Sequence, residues 1–142
     1  YEKNYFNILL GDKNFIFLKR NDGFSSYEYS LNYKYFITFS SSLAYELMSR
    51  GKRVAFLPWK DSFIIKNKKI NFNDSFYSNK KKTGPIWSNS CSEREIFRVL
   101  NYISRTKDSS WKNIQKKLIN PIITYDRENK QTKKLFNKLG IN

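Results

Sequence analysis

The sequence contains no histidine and a single cysteine, Cys91. An internal disulfide and a Cys/His zinc site are therefore excluded, as is a histidine base or catalytic dyad within this chain. So sparing a use of cysteine fits a reducing cytoplasm. No apolar run reaches the length that crosses a bilayer, and the amino end does not read as a signal peptide. Glycine is scarce too, and the five present build neither a Gly-rich phosphate loop of standard spacing nor a nucleophile elbow. Acidic residues are few: 12 Asp+Glu face 27 Lys+Arg, for a net charge of +15. That excess taken alone points to nucleic acid or an anionic membrane surface. The chain is also rich in Asn, Phe, Tyr and Ile, the residues of A/T-rich codons, and lysine of that origin says little about partners. The basic runs at Lys66–Lys69, Lys80–Lys82, Lys116–Lys117 and Lys133–Lys134 are scattered over loops and helix faces. Nucleic acid is accordingly disfavoured, while peripheral contact of lysine clusters with an anionic membrane stays open.

What is present is organised around Tyr35 to Leu57, YFITFSSSLAYELMSRGKRVAFL. Tyr35 to Phe39, aromatic and β-branched, reads as a buried strand. Ser40, Ser41 and Ser42 supply N-cap hydroxyls, and Leu43, Ala44, Leu47 and Met48 share one helical face. Gly51 sits where a left-handed residue ends the helix, and Arg53 to Leu57 reads as the next strand. A connection of this length suits a parallel βαβ crossover.

In such a unit the serines lie at the carboxyl end of a parallel strand and the amino end of a helix. Free N–H groups and the helix dipole favour an anion there. The three hydroxyls add donors for phosphate oxygens, and Glu46, one turn deeper, can accept from ribose or sugar hydroxyls. The plainer reading has the serines only capping the helix and Glu46 pairing with Arg50. These residues alone leave both readings open.

The remaining elements follow from similar signals. Tyr1 to Leu10 reads as a helix ended by Gly11, and Asn14 to Lys19 (NFIFLK) as a first strand. Arg20, at the carboxyl end of that strand with Lys19, is a further candidate for neutralising phosphate. Ser25 and Glu28 form a capping-box pattern before a short helix, Ser26 to Leu31. Pro58–Trp59 ends the second crossover strand, Phe63–Ile65 reads as a short strand or docked loop, and Asn71 to Lys82 as a long loop. Gly84–Pro85–Ile86–Trp87 is a rigid turn whose tryptophan is more a packing residue than a ligand wall. Ser92 and Glu95 form a second capping-box pattern before a helix from Glu93 to Ser104. Asp108–Ser109–Ser110 caps a helix carrying Trp111, Ile114 and Leu118, stopped by Pro121. A last helix from Asn129 to Leu139 has Leu135, Phe136 and Leu139 to dock it. Strands alternating with helices and then giving way to helices imply one α/β domain over residues 1–142, a Rossmann-like small parallel sheet with a helical C-terminus.

The segment FITFSSSLAYELMSRGKRVAFL resembles the C-terminal, nucleotide-sugar-binding half of GT-B-type glycosyltransferases. More narrowly it is similar to a group of bacterial transferase-like proteins of surface-carbohydrate biosynthesis. That group carries an S-x-L-x-Y-E-x-x-x-R-G-x-x-V-x-F segment, a G-x-x-W, a Glu- and Phe-rich helix, a Trp-containing helix and a Tyr-Asp before a last helix. Here these are the central segment, Gly84 to Trp87, Ser92 to Ser104, Trp111 and Tyr125–Asp126. Where the group has an F-G-W-P-like element, this chain has Phe76–Tyr77–Ser78–Asn79, without the Gly or Pro.

The resemblance implies the C-terminal part of a two-domain GT-B-like transferase, with an N-terminal domain supplying the acceptor side and the catalytic base. It implies a nucleotide-sugar donor as substrate, no cofactor and no metal, and a cytoplasmic protein peripheral at the inner membrane. Ser40, Ser41 and Ser42 would stabilise the leaving phosphate, with Glu46 on a ribose or sugar hydroxyl. No catalytic residue is identified in this chain. The same Ser-turn-helix geometry also suits a sugar-nucleotide epimerase or a phosphosugar-polymer transferase. A basic, non-enzymatic module that binds nucleic acid or a membrane surface is the rival of a different class.

Overall fold

The computed structural model describes residues 2–11, 13, 15–19, 21–39, 41–58, 63–65, 68–70, 76 and 83–140. Tyr1–Asn32 and Tyr33–Asn142 are two compact units. In the first, helix α1 spans Glu2–Leu10, and the Gly11 N–H closes it by donating to the Asn7 carbonyl at 3.0 Å. The strand expected from Asn14 to Lys19 does not form: Phe15 to Lys19 join no ladder, and Asn14 lies outside the described residues. Strand propensity needs a neighbour to pair with; the Lys19 carbonyl instead accepts from the Tyr29 hydroxyl at 3.2 Å. Helix α2, Ser25–Leu31, also starts differently from the capping-box expectation. Asp22 Oδ1 accepts the N–H groups of Phe24 and Ser25 at 2.7 and 2.8 Å. A carboxylate takes two backbone donors more strongly than a serine hydroxyl can, so Asp22 is the cap.

The second unit holds the sheet. Strand β1, Tyr35–Thr38, leads through helix α3, Ser42–Ser49, into strand β2, Arg53–Phe56. The strands pair in parallel, Tyr35 opposite Arg53 and Thr38 opposite Phe56, as the βαβ reading expects. Helix α3 stops in a Schellman motif. The Gly51 N–H donates to Met48 and the Lys52 N–H to Leu47, both at 3.0 Å, with Gly51 at φ +86°. A side chain at that φ would be strained, so the glycine fixes where the chain turns back to the sheet.

After β2 the chain forms a separate antiparallel hairpin, strands β3 (Phe63–Ile65) and β4 (Lys68–Ile70). It rejoins the main sheet as strands β5 (Thr83–Gly84) and β6 (Trp87–Ser88), giving the order β1-β2-β6-β5. Strand β6 is parallel to β2, with Trp87 opposite Phe56, and antiparallel to β5. The glycine of the tight β5–β6 turn is obligatory: a Cβ on Gly84 would stand 1.9 Å from the Trp87 ring. Apart from Phe76, the stretch expected as a long loop from Asn71 to Lys82 lies outside the described residues, as does Trp59.

All of β2 is buried, as in a strand covered on both faces. Ala44, Leu47 and Met48 of α3 pack with Val54 and Phe56 into a core that also takes in Ile86, Trp87 and Trp111. Phe76 belongs to it, stacked on Trp87 with centroids 5.0 Å apart and edge-on to Phe56 at 4.9 Å. Trp87 is therefore a packing residue, 3% exposed.

Helix α4, Glu93–Arg105, and helix α5, Asp108–Leu118, complete the core, through Val99 and Ile103 and through Trp111. The buried Arg53 binds them to the sheet. Its Nη1 donates to the Ile103 carbonyl at 2.6 Å, its Nη2 meets Asp108 Oδ1 at 2.5 Å, and its guanidinium lies 5.4 Å from the Trp111 ring. Asp108, a helix cap by its sequence pattern, is thus an ion-pair partner; the guanidinium hydrogen bond, then the Lys34 charge, hold its carboxyl below the usual range. Gln115 Nε2 donates to the Ser49 carbonyl at 2.7 Å, joining α5 to the end of α3.

Helix α6, Lys130–Lys138, follows a short 3₁₀ turn at Arg127–Asn129 and buries no residue. The expected docking by Leu135, Phe136 and Leu139 is not seen: they are 54, 46 and 63% exposed. Strand β1 forms but is not the buried strand expected: it lies at the edge of the sheet, and Tyr35 and Ile37 are 48 and 57% exposed. The α/β class with a small, mostly parallel sheet and helical C-terminus is the observed one.

Candidate functional site

Because β1, β2 and β6 run the same way, their carboxyl ends share one edge of the sheet. Two helices begin at that edge, α3 after β1 and α4 after β6. Cys91 Sγ reaches the Pro58 carbonyl at 4.0 Å, tying the loop before α4 to the end of β2. Strands β1 and β6 flank β2, so the two helix starts are separated by about two strand spacings, ~10 Å.

At the first start, Ser41 is the N-cap residue in extended conformation, and its side chain makes no capping hydrogen bond. Its N–H instead donates to Thr38 Oγ1 at 3.2 Å, and its carbonyl receives the Ala44 N–H at 3.1 Å. Ser41 and Ser42 are both exposed. Both hydroxyls and the first N–H groups of an eight-residue helix therefore stand at the carboxyl end of a parallel strand. Glu46 lies one turn in and half-buried. Arg50, its partner in the plainer reading, places its guanidinium 4.9 Å from the Tyr125 ring. Ser41 is thus the N-cap of α3, Ser42 its first residue and Glu46 one turn further on, whereas Ser40 and Arg20 lie outside the described residues.

At the second start, a cleft of about 180 Å³ is lined by Thr83, Ser88, Asn89, Ser90 and Glu95. Glu95 Oε2 accepts from Thr83 Oγ1 at 2.9 Å and from Arg98 Nε at 3.0 Å, and Arg98 Nη2 donates to Thr83 Oγ1 at 2.6 Å. The Arg98 hydrogen bond, then that of Thr83, holds the Glu95 carboxyl below its ordinary value. The spacing alone pairs Glu95 with Ser92 in a capping box; the guanidinium competes for it and wins, since charge-assisted bonds are the stronger. Ser88 Oγ accepts the Ser90 N–H at 3.0 Å, and Ser90 Oγ donates to Ser92 Oγ at 3.2 Å. The cleft is thus bordered by hydroxyls and one carboxylate that bond one another and Arg98. Sequence reasoning missed it because Thr83 meets Glu95 only through the β5–β6 turn; the cluster Ser88–Asn89–Ser90 was the local signal. Among the described residues, no group of His, Cys, Asp and Glu is placed to hold a metal ion.

Residues 1–140 match the model of a protein family described as "putative O-antigen biosynthesis protein". A search of curated proteins and a search of solved structures find no match.

Proposed function

The chain belongs to that O-antigen biosynthesis family, and from this premise we propose that it binds the nucleotide-sugar donor of a glycosyl transfer that builds a surface polysaccharide. One observation carries the reading: Ser41 and Ser42 expose hydroxyls at the junction of a parallel strand and a helix, and the Ser41 side chain is not used as the cap. That junction offers the donor's phosphate groups N–H and O–H donors together with the positive end of a helix dipole. Glu46 accepts from a ribose or sugar hydroxyl, and the Glu95 cleft on the same sheet edge receives the remaining hydroxyls. In the transfer, the bond from the anomeric carbon to the phosphate oxygen breaks and its electron pair leaves on the phosphate. The acceptor oxygen bonds to that carbon and gives its proton to a base from the N-terminal side of a two-domain enzyme. The role of this chain is electrostatic: it stabilises the charge that grows on the departing phosphate.

The test is a calorimetric titration with UDP, GDP and CMP, repeated on Ser41→Ala and Glu46→Ala. Saturable binding of one nucleotide is expected, weakened about tenfold by loss of either the Ser41 hydroxyl or the Glu46 carboxylate, each of which makes a charge-assisted hydrogen bond. If no nucleotide binds, the serine turn is a helix start and nothing more.

A further inference from the structure

Helix α6 combines three properties that point outward from the fold. First, none of its residues is buried. Second, it is two-faced: at 100° per residue, Thr132, Leu135, Phe136 and Leu139 fall within an arc of about 100°, and the lysines occupy the opposite side. Third, its charge has one sign. Lys130, Lys133, Lys134 and Lys138 share the helix with no carboxylate. The neighbouring Glu128 is taken up by Lys130 at 3.3 Å and Arg127 at 3.7 Å. Among the described residues, Lys133, Lys134 and Lys138 form no ion pair.

The helix is nevertheless firmly started. Asp126 accepts the Gln131 N–H at 3.0 Å and the Thr132 N–H and Oγ1 at 3.1 and 3.2 Å. A cap alone is a thin support for nine residues, since isolated helices this short are marginal in water. An external surface is the natural complement to such a helix.

We propose that α6 lies flat on an anionic phospholipid bilayer, with Leu135, Phe136 and Leu139 among the acyl chains and its lysines on the headgroup phosphates. Charge selects this occupant. A second copy packed arc to arc would cover Leu135, Phe136 and Leu139 but leave the lysines on the outer sides without a counter-charge, and a nucleic acid would leave the Leu–Phe arc in water. A bilayer with anionic lipid satisfies both faces, the long lysine stems reaching up from the apolar boundary. Among the described residues no helix is long and apolar enough to cross a membrane, so the contact is one of lying on it. The inference rests on α6 and is independent of the donor-binding reading.

The experiment is co-sedimentation of the full chain with vesicles of phosphatidylcholine alone or with added phosphatidylglycerol. Two triple variants accompany it: Leu135→Ser, Phe136→Ser and Leu139→Ser; and Lys133→Gln, Lys134→Gln and Lys138→Gln. All six side chains are exposed, so neither variant disturbs the core. Binding is expected only with phosphatidylglycerol, and each triple weakens it at least about tenfold. A Phe136→Trp variant is expected to add blue-shifted emission on the same vesicles, measured as the difference from the parent. The proposal is overturned if the serine triple sediments like the parent, since adsorption would then be by net charge alone. It is equally overturned if the Phe136→Trp variant shows no blue shift on the vesicles, or if the serine triple instead dissociates a dimer and leaves vesicle binding intact.

Discussion

Helices α3 and α6 are eight and nine residues long, and each carries an apolar stripe. One stripe is in the core; the other is in solvent. The difference does not come from the stripe but from what the chain does on either side. Helix α3 is strung between two parallel strands, so its connections press it onto the sheet, and none of its residues is Lys or Arg. Helix α6 has a 3₁₀ turn before it, with Glu128 and Asn129 both at positive φ, and four of its nine residues are lysines. Periodicity says which face of a helix is apolar; topology decides whether the protein itself covers that face.

The sharpest test of this contrast is to truncate the buried stripe. Met48→Ala is expected to lower unfolding free energy by about 2–5 kcal/mol in urea titrations, the usual cost of emptying a core methionine site. Next is Gly84→Ala, whose new methyl must displace the Trp87 ring. A loss of about 1–3 kcal/mol is expected, with a change in tryptophan fluorescence from the shifted ring. At α6 the effect should be local. Asp126→Ala is expected to reduce helical circular dichroism while leaving the cooperative transition of the core in place. Acid should do the same. The backbone N–H of Gln131, foremost, holds the Asp126 carboxyl below its ordinary value of 3.8. Its contribution is thus complete above that value and lost as pH falls through the lowered one. The smallest effect belongs to Leu135→Ala, expected to stay within about 0.5 kcal/mol of the parent. A loss at Leu135 as large as that at Met48 would erase the distinction between the two helices.

How legible the fold was depended on how local each decision is. The β1-α3-β2 unit could be read because its signals are contiguous: an aromatic strand, serines, a stripe and Gly51. Strand propensity misled at Phe15 to Lys19, where no partner strand completes a ladder. Capping patterns misled at Ser25 and Ser92, where Asp22 and Arg98 offered charged alternatives that the spacing of Ser and Glu does not reveal. The bond between Arg53 and Asp108 joins residues 55 positions apart, so nothing near either residue announced it. At the site, Ser41, Ser42 and Glu46 were readable as a helix start on a strand end. The Glu95 cleft was not, because it is assembled across a turn.

Phe76 has a consequence for how the chain can vary in length. Between Phe56 and Thr83 the backbone leaves the main sheet and returns, and Phe76, 2% exposed, is pinned beside Trp87 partway along. That anchor divides one excursion of the chain into two shorter stretches. Closure entropy grows only logarithmically with length, so doubling either stretch would cost about 0.6 kcal/mol. Residues inserted on one side of Phe76 are therefore expected to leave the register of β6 against β2 unchanged, since the ring is stacked on the same Trp87 that pairs with Phe56.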